Sequence, residues 1–116
     1  AQRIAASIGA RGVLAVGGGE ACKRVDMVDN LARELSRLGA TRGTALVVLG
    51  GGTLTDLAGF TGSIFMRGIR CVFCPTTTLA ICDASLGGKN GINHGELKNQ
   101  LGTIRQPDLV FADIDW

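Results

Sequence analysis

Three consecutive glycines, Gly50-Gly51-Gly52, have the residue type and the position needed to bind a phosphate group. They follow the apolar run Ala45–Leu49 and precede a helical pattern that opens with Thr53-Leu54-Thr55-Asp56. Glycine lets a ligand approach bare backbone amides, and the start of a helix offers unpaired N–H groups and the positive end of its dipole. A pyrophosphate would fit this corner, although three glycines alone are equally consistent with a plain strand-to-helix turn.

A second polar stretch could hold an anion. It runs from Asp83 to His94 and has the glycine-rich, polar composition of a long functional loop. The Gly87-Gly88 pair lets the backbone bend close to a ligand, and lysine ammonium groups attract anions. The candidate side chains in and after this loop are two lysines and three asparagines, namely Lys89, Lys98, Asn90, Asn93 and Asn99. The alternative is a solvated turn whose lysines extend into water.

The four cysteines do not favour a disulfide or a metal site. Cys71 and Cys74 have the CxxC spacing of both, but they lie in a short apolar run closed by Pro75, which predicts a buried strand. On a strand, residues three apart face opposite sides, so the two thiols would diverge. We expect these cysteines, and also Cys22 and Cys82, to be small buried hydrophobic residues.

Composition limits the class of protein. The 116 residues are 46% apolar, which suffices for the core of one small domain. A formal charge of +2, without basic clusters and with 4% aromatic residues, does not favour a nucleic-acid surface. There is no apolar run of about eighteen residues and no basic-then-apolar leader, so we expect a cytoplasmic chain with no membrane partner. The first residue is Ala1 and a strand-like run lies just before Trp116, so we expect an incomplete part of a longer protein.

The predicted elements alternate between strands and helices. Apolar residues at three- and four-residue spacing predict helices, and short apolar runs bounded by glycine or proline predict strands. In chain order, we expect a helix end in the first ten residues, a strand at Val13–Val16, a helix at Val25–Leu38 ended by Gly39, a strand at Ala45–Leu49, a helix at Leu54–Met66, a strand at Arg70–Cys74, a helical turn at Leu79–Cys82 and a strand at Leu109–Ala112.

Two successive strand–helix–strand crossings predict an α/β fold, a mostly parallel Rossmann-like sheet with helices on both faces. In such sheets, ligands bind beyond the carboxyl ends of the strands. Three loops would meet there: Gly17–Gly19, Gly50–Gly52 and Pro75–Thr77. Their spacing departs from the GxGxxG fingerprint, which predicts a dinucleotide site of a different family.

Six short segments resemble, in order and spacing, the NAD-binding half of the 3-dehydroquinate synthases, within the sugar-phosphate cyclase family. The segments are GEACK at Gly19–Lys23, GGGTLTDLAGF at Gly50–Phe60, MRG at Met66–Gly68, PTT at Pro75–Thr77, DASLGGKNGIN at Asp83–Asn93, and LKNQLG with QP at Leu97–Pro107. Each segment alone is weak evidence, but six in register over most of the chain make a chance similarity improbable. The GGK triplet distinguishes this family from related cyclases.

The resemblance implies a set of cofactor-binding residues. They are Glu20, Lys23, Gly51, Gly52, Asp56, Thr76, Thr77, Asp83, Lys89 and Lys98. By this comparison, Glu20 and Lys23 hold the adenosine ribose of NAD, the glycines with Asp56 contact pyrophosphate and ribose, and the remaining residues surround the nicotinamide side. Carboxylates suit a ribose because they accept hydrogen bonds from both hydroxyl groups.

The resemblance also implies three catalytic residues. Lys89 and Asn99 would lie close to the phosphate of the substrate, and Arg67 would reach that phosphate across the interface of a homodimer. Lysine and arginine side chains can neutralise a phosphate that must leave. The segment Gly95-Glu96-Leu97 differs from the family pattern, in which Pro-Leu-Gly is common before the Lys-Asn pair, and this departure lies directly before Lys98.

The implied reaction converts a seven-carbon keto-sugar acid phosphate into 3-dehydroquinate in the shikimate pathway. NAD accepts a hydride and returns it after phosphate elimination, and an aldol step closes the ring. A divalent metal, zinc or cobalt, would be held by a glutamate and two histidines of a helical domain absent from this chain. His94 and Glu96 do not match those ligands, and His94 is predicted to be a loop residue rather than a catalytic base.

Two other functions remain open. A metal-dependent polyol or alcohol dehydrogenase shares a GGGxxxD loop and a PTT-like segment, although Lys89 and Lys98-Asn99 argue against it. A non-catalytic nucleotide-binding module would bind NAD without turnover. Another sugar-phosphate cyclase is a further alternative within the family.

Overall fold

The computed structural model describes residues 1–113. They form three helices, α1 (Gln2–Ser7), α2 (Val25–Arg37) and α3 (Gly52–Ile64), and five strands, β1 (Ala45–Gly50), β2 (Arg70–Pro75), β3 (Lys89–His94), β4 (Leu97–Ile104) and β5 (Leu109–Val110). Three short helical turns connect them: the 3-10 turns Glu20–Cys22 and Phe65–Arg67, and the π-helical turn Ala80–Ala84. No helix in the described part of the chain is long and apolar enough to cross a bilayer.

A parallel sheet confirms the predicted α/β class. Its strand order is β1-β2-β5, and β1 pairs with β2 in continuous register from Ala45 opposite Arg70 to Gly50 opposite Pro75. Val48 and Phe73 face α3 and pack with Ala58 in a buried cluster. On the other face, Val47 is 39% and Leu109 57% exposed. Because the strands are parallel and in register, the glycine turn and Pro75 lie at the same edge.

The second half of the stretch predicted as a long polar loop, Lys89–His94, is instead the first strand of a β-hairpin, so the prediction is wrong for that half. β3 and β4 pair antiparallel, with Lys89 opposite Ile104 and His94 opposite Leu97 across a two-residue turn in which Gly95 has φ 58°. Ile92 is 1% exposed and packs in the cluster that contains Leu57 of α3. The sequence pattern does not predict these strands, because glycine and asparagine have low β propensity. Burial of one face nevertheless stabilises the hairpin in the folded chain.

The strand predicted at Val13–Val16 is absent from the described structure. These residues have no strand assignment, and β1 lies at one end of the order β1-β2-β5. Their alternation nevertheless matches burial, because Leu14 and Val16 pack against core clusters while Val13 is 48% exposed. The first predicted strand–helix–strand crossing is therefore wrong. The error arises because a hydrophobic pattern indicates which side chains are buried but not which strands pair.

The remaining elements agree with prediction except at their ends. α2 is followed by Gly39 in a left-handed conformation with φ 71°, as expected of a glycine that ends a helix. α3 begins at Gly52 rather than Leu54, and the helical turn expected at Leu79–Cys82 lies at Ala80–Ala84. The last strand is limited to Leu109–Val110 within the expected Leu109–Ala112.

The cysteines of β2 agree with prediction and one other does not. Cys71 and Cys74 are buried free thiols, as is Cys22. Cys82 is exposed, so its prediction as a buried residue is wrong. It lies in the π-helical turn, where Ala80 is the residue buried against the core.

Candidate functional site

The glycine corner joins the end of β1 to the start of α3. Gly51 is extended, with φ −80° and ψ −180°, and its carbonyl accepts hydrogen bonds from the amides of Leu54 and Thr55 at 3.0 and 3.1 Å. Within residues 1–113, no side chain caps this helix start. The amides of Gly52 and Thr53 therefore precede the first intrahelical donors and belong to the class of unpaired helix-start groups that bind anions.

The predicted threonine loop lies against this corner. The Thr76 amide donates to the Gly50 carbonyl at 3.0 Å. A Cβ built on Gly51 would lie 3.2 Å from Thr77 Cγ2, and one built on Gly52 would lie 3.2 Å from Ala84 Cβ. Both contacts are tighter than ordinary packing, so the close approach of these segments favours glycine at both positions. The structure thus brings Gly51, Gly52, Thr76 and Thr77 together.

A buried cation lies beside the corner. The Lys23 side chain is 4% exposed, and its Nζ donates to Asp56 Oδ2 at 2.8 Å and also to Asn99 Oδ1. Glu20 Oε1 is 3.8 Å from the same Nζ. The 3-10 turn Glu20–Cys22 places Glu20 and Lys23 at this point, and α3 supplies Asp56, the fifth residue of that helix. Three predicted cofactor residues and one predicted catalytic residue therefore form one ion-pair and hydrogen-bond cluster.

The environment of Asp56 disfavours its charged form. Burial raises the pKa of the carboxyl above its ordinary value, and the nearby charges of Glu20 and Asp83 raise it further. The hydrogen bond and the positive charge of Lys23 act in the opposite direction, but they do not cancel the effect of burial. Lys23 is therefore the neighbouring group that favours the ionised form of Asp56 against the effect of burial.

Asn93 is one of the predicted anion-binding candidates but not one of the predicted cofactor or catalytic residues, and the structure places it against Glu20 and Asn99. Its backbone amide donates to the Lys23 carbonyl at 2.8 Å, and its Nδ2 donates to Glu20 Oε1 at 3.0 Å. Its Oδ1 accepts from the backbone amide of Asn99 at 2.9 Å. Asn93 lies within a matched segment, but its role follows from the pairing of β3 with β4, which a single sequence does not reveal.

The predicted anion-binding residues lie along the hairpin. Lys89 begins β3 and is exposed, and Lys98 precedes Asn99 on β4. A Cβ on Gly91 would lie 3.8 Å from the Cα and Cβ of Asn99. Gly91 is two residues from Lys89, or about 7 Å along a strand, so Lys89 and Asn99 lie in the same part of the hairpin.

Arg67 does not join this cluster within one chain. It is exposed in the turn Phe65–Arg67, at the C-terminal end of α3, whereas the glycine corner is at the N-terminal end. The helix between them has 13 residues, which corresponds to about 20 Å. Met66 and Arg67 both have positive φ, 50° and 66°, a strained pair that ends the helix sharply.

The described residues contain no group of three or more histidine, cysteine, aspartate or glutamate side chains placed to hold a metal ion. His94 is the exposed last residue of β3, at the hairpin turn. Asp83 is exposed within the π-helical turn and contributes its negative charge to the surroundings of Asp56.

Comparison with known proteins identifies the relatives of this chain. Residues 13–116 match the family described as 3-dehydroquinate synthase N-terminal. The 3-dehydroquinate synthase of Dictyoglomus thermophilum is 48% identical over 107 residues, which cover 92% of this chain and 30% of that protein. The chain therefore spans about a third of the length of this relative.

Solved structures show a similar relationship. A 2-deoxy-scyllo-inosose synthase in complex with carbaglucose-6-phosphate, NAD+ and Co2+ aligns with a TM-score of 0.85 at 39% identity, covering 88% of this chain and 28% of that one. A glycerol dehydrogenase from Schizosaccharomyces pombe aligns with a TM-score of 0.67 at 25% identity, covering 98% of this chain and 28% of that one. The family match over residues 13–116 leads to one conclusion: the chain belongs to the 3-dehydroquinate synthase family, in its N-terminal domain.

Proposed function

We propose that this chain is the NAD-binding part of a longer 3-dehydroquinate synthase, which converts 3-deoxy-D-arabino-heptulosonate 7-phosphate into 3-dehydroquinate with elimination of phosphate. The observation that carries the proposal is that a site suited to a dinucleotide is joined to a hairpin suited to a phosphate. The glycine corner with Asp56 suits a dinucleotide, and Lys23 bonds Asp56 to Asn99 on the hairpin that bears Lys89. A dinucleotide-binding site joined to a group of phosphate-binding residues is the arrangement that a phosphate-eliminating lyase needs.

The donor set fits NAD. The amides at the start of α3 suit the pyrophosphate, and the carboxylates of Asp56 and Glu20 suit ribose hydroxyl groups. Asp56 keeps 23% and Glu20 44% of its side chain exposed, so both can accept a hydrogen bond from a ligand. Thr76, Thr77 and Asp83 lie next to this seat and complete the cofactor side. When bound, NAD supplies a reversible hydride acceptor.

The hairpin supplies the substrate side. Lys89 and Asn99 hold the phosphate of the keto-sugar acid, and Lys98 lies between the substrate and the nicotinamide. Arg67 completes the phosphate site from the second subunit of a homodimer, since about 20 Å of helix separates it from the corner of its own chain. The divalent metal is held by a part of the enzyme outside this chain. The proposed homodimer is a cytoplasmic enzyme with no nucleic-acid or membrane partner.

A related cyclase is the second candidate. The support is the TM-score of 0.85 with 2-deoxy-scyllo-inosose synthase, another cyclase that binds a sugar phosphate analogue. The lower TM-score of 0.67 and identity of 25% with glycerol dehydrogenase make a dehydrogenase less well supported. Net NADH formation from a polyol would identify a dehydrogenase, whereas a cyclase releases phosphate without net NADH.

The cofactor assignment is tested by NAD titration of the full-length protein with isothermal titration calorimetry. We expect Asp56→Ala to weaken binding by about 10- to 100-fold, because hydrogen bonds to a charged group contribute about 1.5–3 kcal/mol. The matched control is Asp29→Ala, which removes an exposed carboxylate of α2 paired with Arg33 and should leave NAD affinity unchanged. Undiminished binding by Asp56→Ala would show that the cofactor lies elsewhere.

A further inference from the structure

Lys89 follows a pair of glycines, so its position depends on what restrains them. The amide of Gly87 donates to the Asp83 carbonyl at 3.0 Å, which ties the first glycine to the π-helical turn. Gly88 is buried and has a left-handed backbone with φ 65°. Because glycine loses more conformational freedom on folding than any other residue, a lysine after two glycines is well placed only if further bonds hold the backbone.

The side chain of Asn90 supplies such bonds on the other side of Lys89. Its Nδ2 donates to the Arg105 carbonyl at 3.0 Å and to the Gly88 carbonyl at 3.4 Å, one hydrogen for each. The Arg105 amide also donates to the Gly88 carbonyl, at 2.7 Å. These bonds close the end of the hairpin at which β3 begins and β4 has just ended. Asn90 thus joins the residue before Lys89 to the strand that pairs with it.

Asn90 and Lys89 face opposite sides of β3, as neighbours on a strand do. Lys89 is exposed, whereas Asn90 is 6% exposed and packs inward. On that inner side it lies against α3, because a Cβ built on Gly59 would come within 2.6 Å of Asn90 Cγ. α3 is also the helix whose start forms the glycine corner. The buried amide therefore fixes the start of β3 on the same helix that carries the proposed cofactor site, with the lysine directed outward.

We propose that Asn90 is a positioning residue for Lys89: its side-chain amide clamps the backbone at Gly88 and Arg105 and so holds the lysine for the phosphate of the substrate. This inference rests on the proposed function, which assigns Lys89 to that phosphate. Composition alone indicates Asn90 as a possible anion-binding side chain, whereas the hydrogen bonds of its amide give it a role in holding its neighbour. A residue that acts through Lys89 should have little effect once Lys89 is removed.

The test is a double-mutant cycle on kcat/KM for phosphate release by the full-length enzyme with NAD and a divalent metal. We expect Asn90→Ala to lower kcat/KM by about fivefold to tenfold when Lys89 is present, since two hydrogen bonds that restrain the lysine are lost. In a Lys89→Ala background, the same change should lower the residual kcat/KM by less than about twofold. Losses that multiply in the double variant would overturn the inference, because Asn90 would then act independently of Lys89.

A second variant separates the donors of Asn90 from its volume. Asn90→Leu keeps a branched side chain against α3 but has no hydrogen-bond donor, so it should lose as much kcat/KM as Asn90→Ala. Wild-type kcat/KM in Asn90→Leu would show that packing alone matters and would overturn the inference. The matched control is Asn30→Ala, which removes an exposed asparagine of α2 and should leave kcat/KM unchanged. Should the alanine variant not fold, the leucine variant replaces it in the cycle.

Amide hydrogen exchange of the full-length protein tests the clamp without substrate. In Asn90→Ala, the Arg105 amide should exchange several-fold faster, because its acceptor at Gly88 is no longer held. The control is the Thr76 amide, which donates to the Gly50 carbonyl and should keep its rate. An unchanged Arg105 rate, or equal acceleration of both amides, would overturn the inference.

The outcomes also separate this inference from the proposed function. Absence of phosphate release by the wild-type enzyme would refute the proposed function and, with it, the role of Asn90. Wild-type phosphate release combined with multiplying losses in the cycle would refute the role of Asn90 alone.

Discussion

Gly59 on α3 and Asn90 on β3 are in direct contact, so that a Cβ built on Gly59 would lie 2.6 Å from Asn90 Cγ. Phe73 Cζ would lie at 3.0 Å from the same Cβ. Asn90 is also held in place, because its Nδ2 donates to the Arg105 carbonyl at 3.0 Å. The hairpin therefore packs on α3 at a point where the helix requires glycine.

From this contact we expect Gly59→Ala to destabilise the protein by about 1–2 kcal/mol in urea unfolding, since overpacking costs about 1–3 kcal/mol and exceeds the gain of up to about 1 kcal/mol in helix propensity. The control is Gly18→Ala, where a Cβ would have no neighbour within 4 Å and the change should be within about 0.5 kcal/mol. Equal stability of the two variants would contradict the tight packing of β3 on α3.

The Lys23–Asp56 pair predicts a pH dependence of stability. A carboxyl whose pKa is raised by folding binds its proton more tightly in the folded state, so its contribution to stability falls as pH rises from the unfolded value of 3.8 through the folded one. Lys23 limits the rise in the pKa of Asp56. Lys23→Met should therefore raise that pKa further, so that the loss of stability extends to higher pH.

Urea unfolding at several pH values checks this prediction. We expect Lys23→Met to lower the free energy of unfolding by roughly 2–3 kcal/mol at pH 7 and by clearly less at pH 4. The loss at pH 7 is somewhat smaller than for a fully buried pair, because Asp56 retains solvent contact. A destabilisation that is the same at both pH values would show that Lys23 acts through packing of its side chain and not through the charge of Asp56.

Thiol reactivity should separate one cysteine from the others. Cys82 is exposed, while burial raises the pKa of the Cys71 thiol to about 11. At pH 8 only about one part in a thousand of such a thiol is ionised. We therefore expect iodoacetamide to modify Cys82 first, and Cys71, Cys74 and Cys22 only after unfolding, as followed by mass spectrometry. Modification of Cys71 in the native protein at the rate of Cys82 would contradict the burial of β2.

The proposed action of Arg67 across a dimer can be tested by complementation. Arg67→Ala and Lys89→Ala should each inactivate the full-length enzyme, but a mixed dimer contains one site with both wild-type residues. Random mixing of the two variants should thus restore up to about a quarter of wild-type activity. Mixtures as inactive as the separate variants would place both residues in the site of one chain.

The elements that could be predicted from sequence are those whose burial follows a local period. β1, β2, α2 and α3 have apolar runs or helical spacing bounded by glycine or proline, and all four lie near their predicted positions. The hairpin could not be predicted, because its strands contain few β-branched residues and are stabilised by contact with α3. Val13–Val16 shows the reverse error, an alternating pattern without a partner strand.

The sequence predicts which residues form the candidate site more fully than it predicts the contacts between them. Glu20, Lys23 and Asp56 are identified by short motifs, and the structure brings them together. The bond from Lys23 to Asn99 depends on the register of β3 and β4, as does the role of Asn93. Pairing between segments that are far apart in sequence sets these contacts, and no local pattern reports it.

The most direct test of the central claim is the product formed by the full-length enzyme from 3-deoxy-D-arabino-heptulosonate 7-phosphate in the presence of NAD and a divalent metal. The account predicts release of inorganic phosphate without net NADH, reduced at least about tenfold in Lys89→Ala because a charge-assisted contact to the leaving phosphate is lost. No phosphate release by the wild-type enzyme, or phosphate release that Lys89→Ala leaves undiminished, would contradict it.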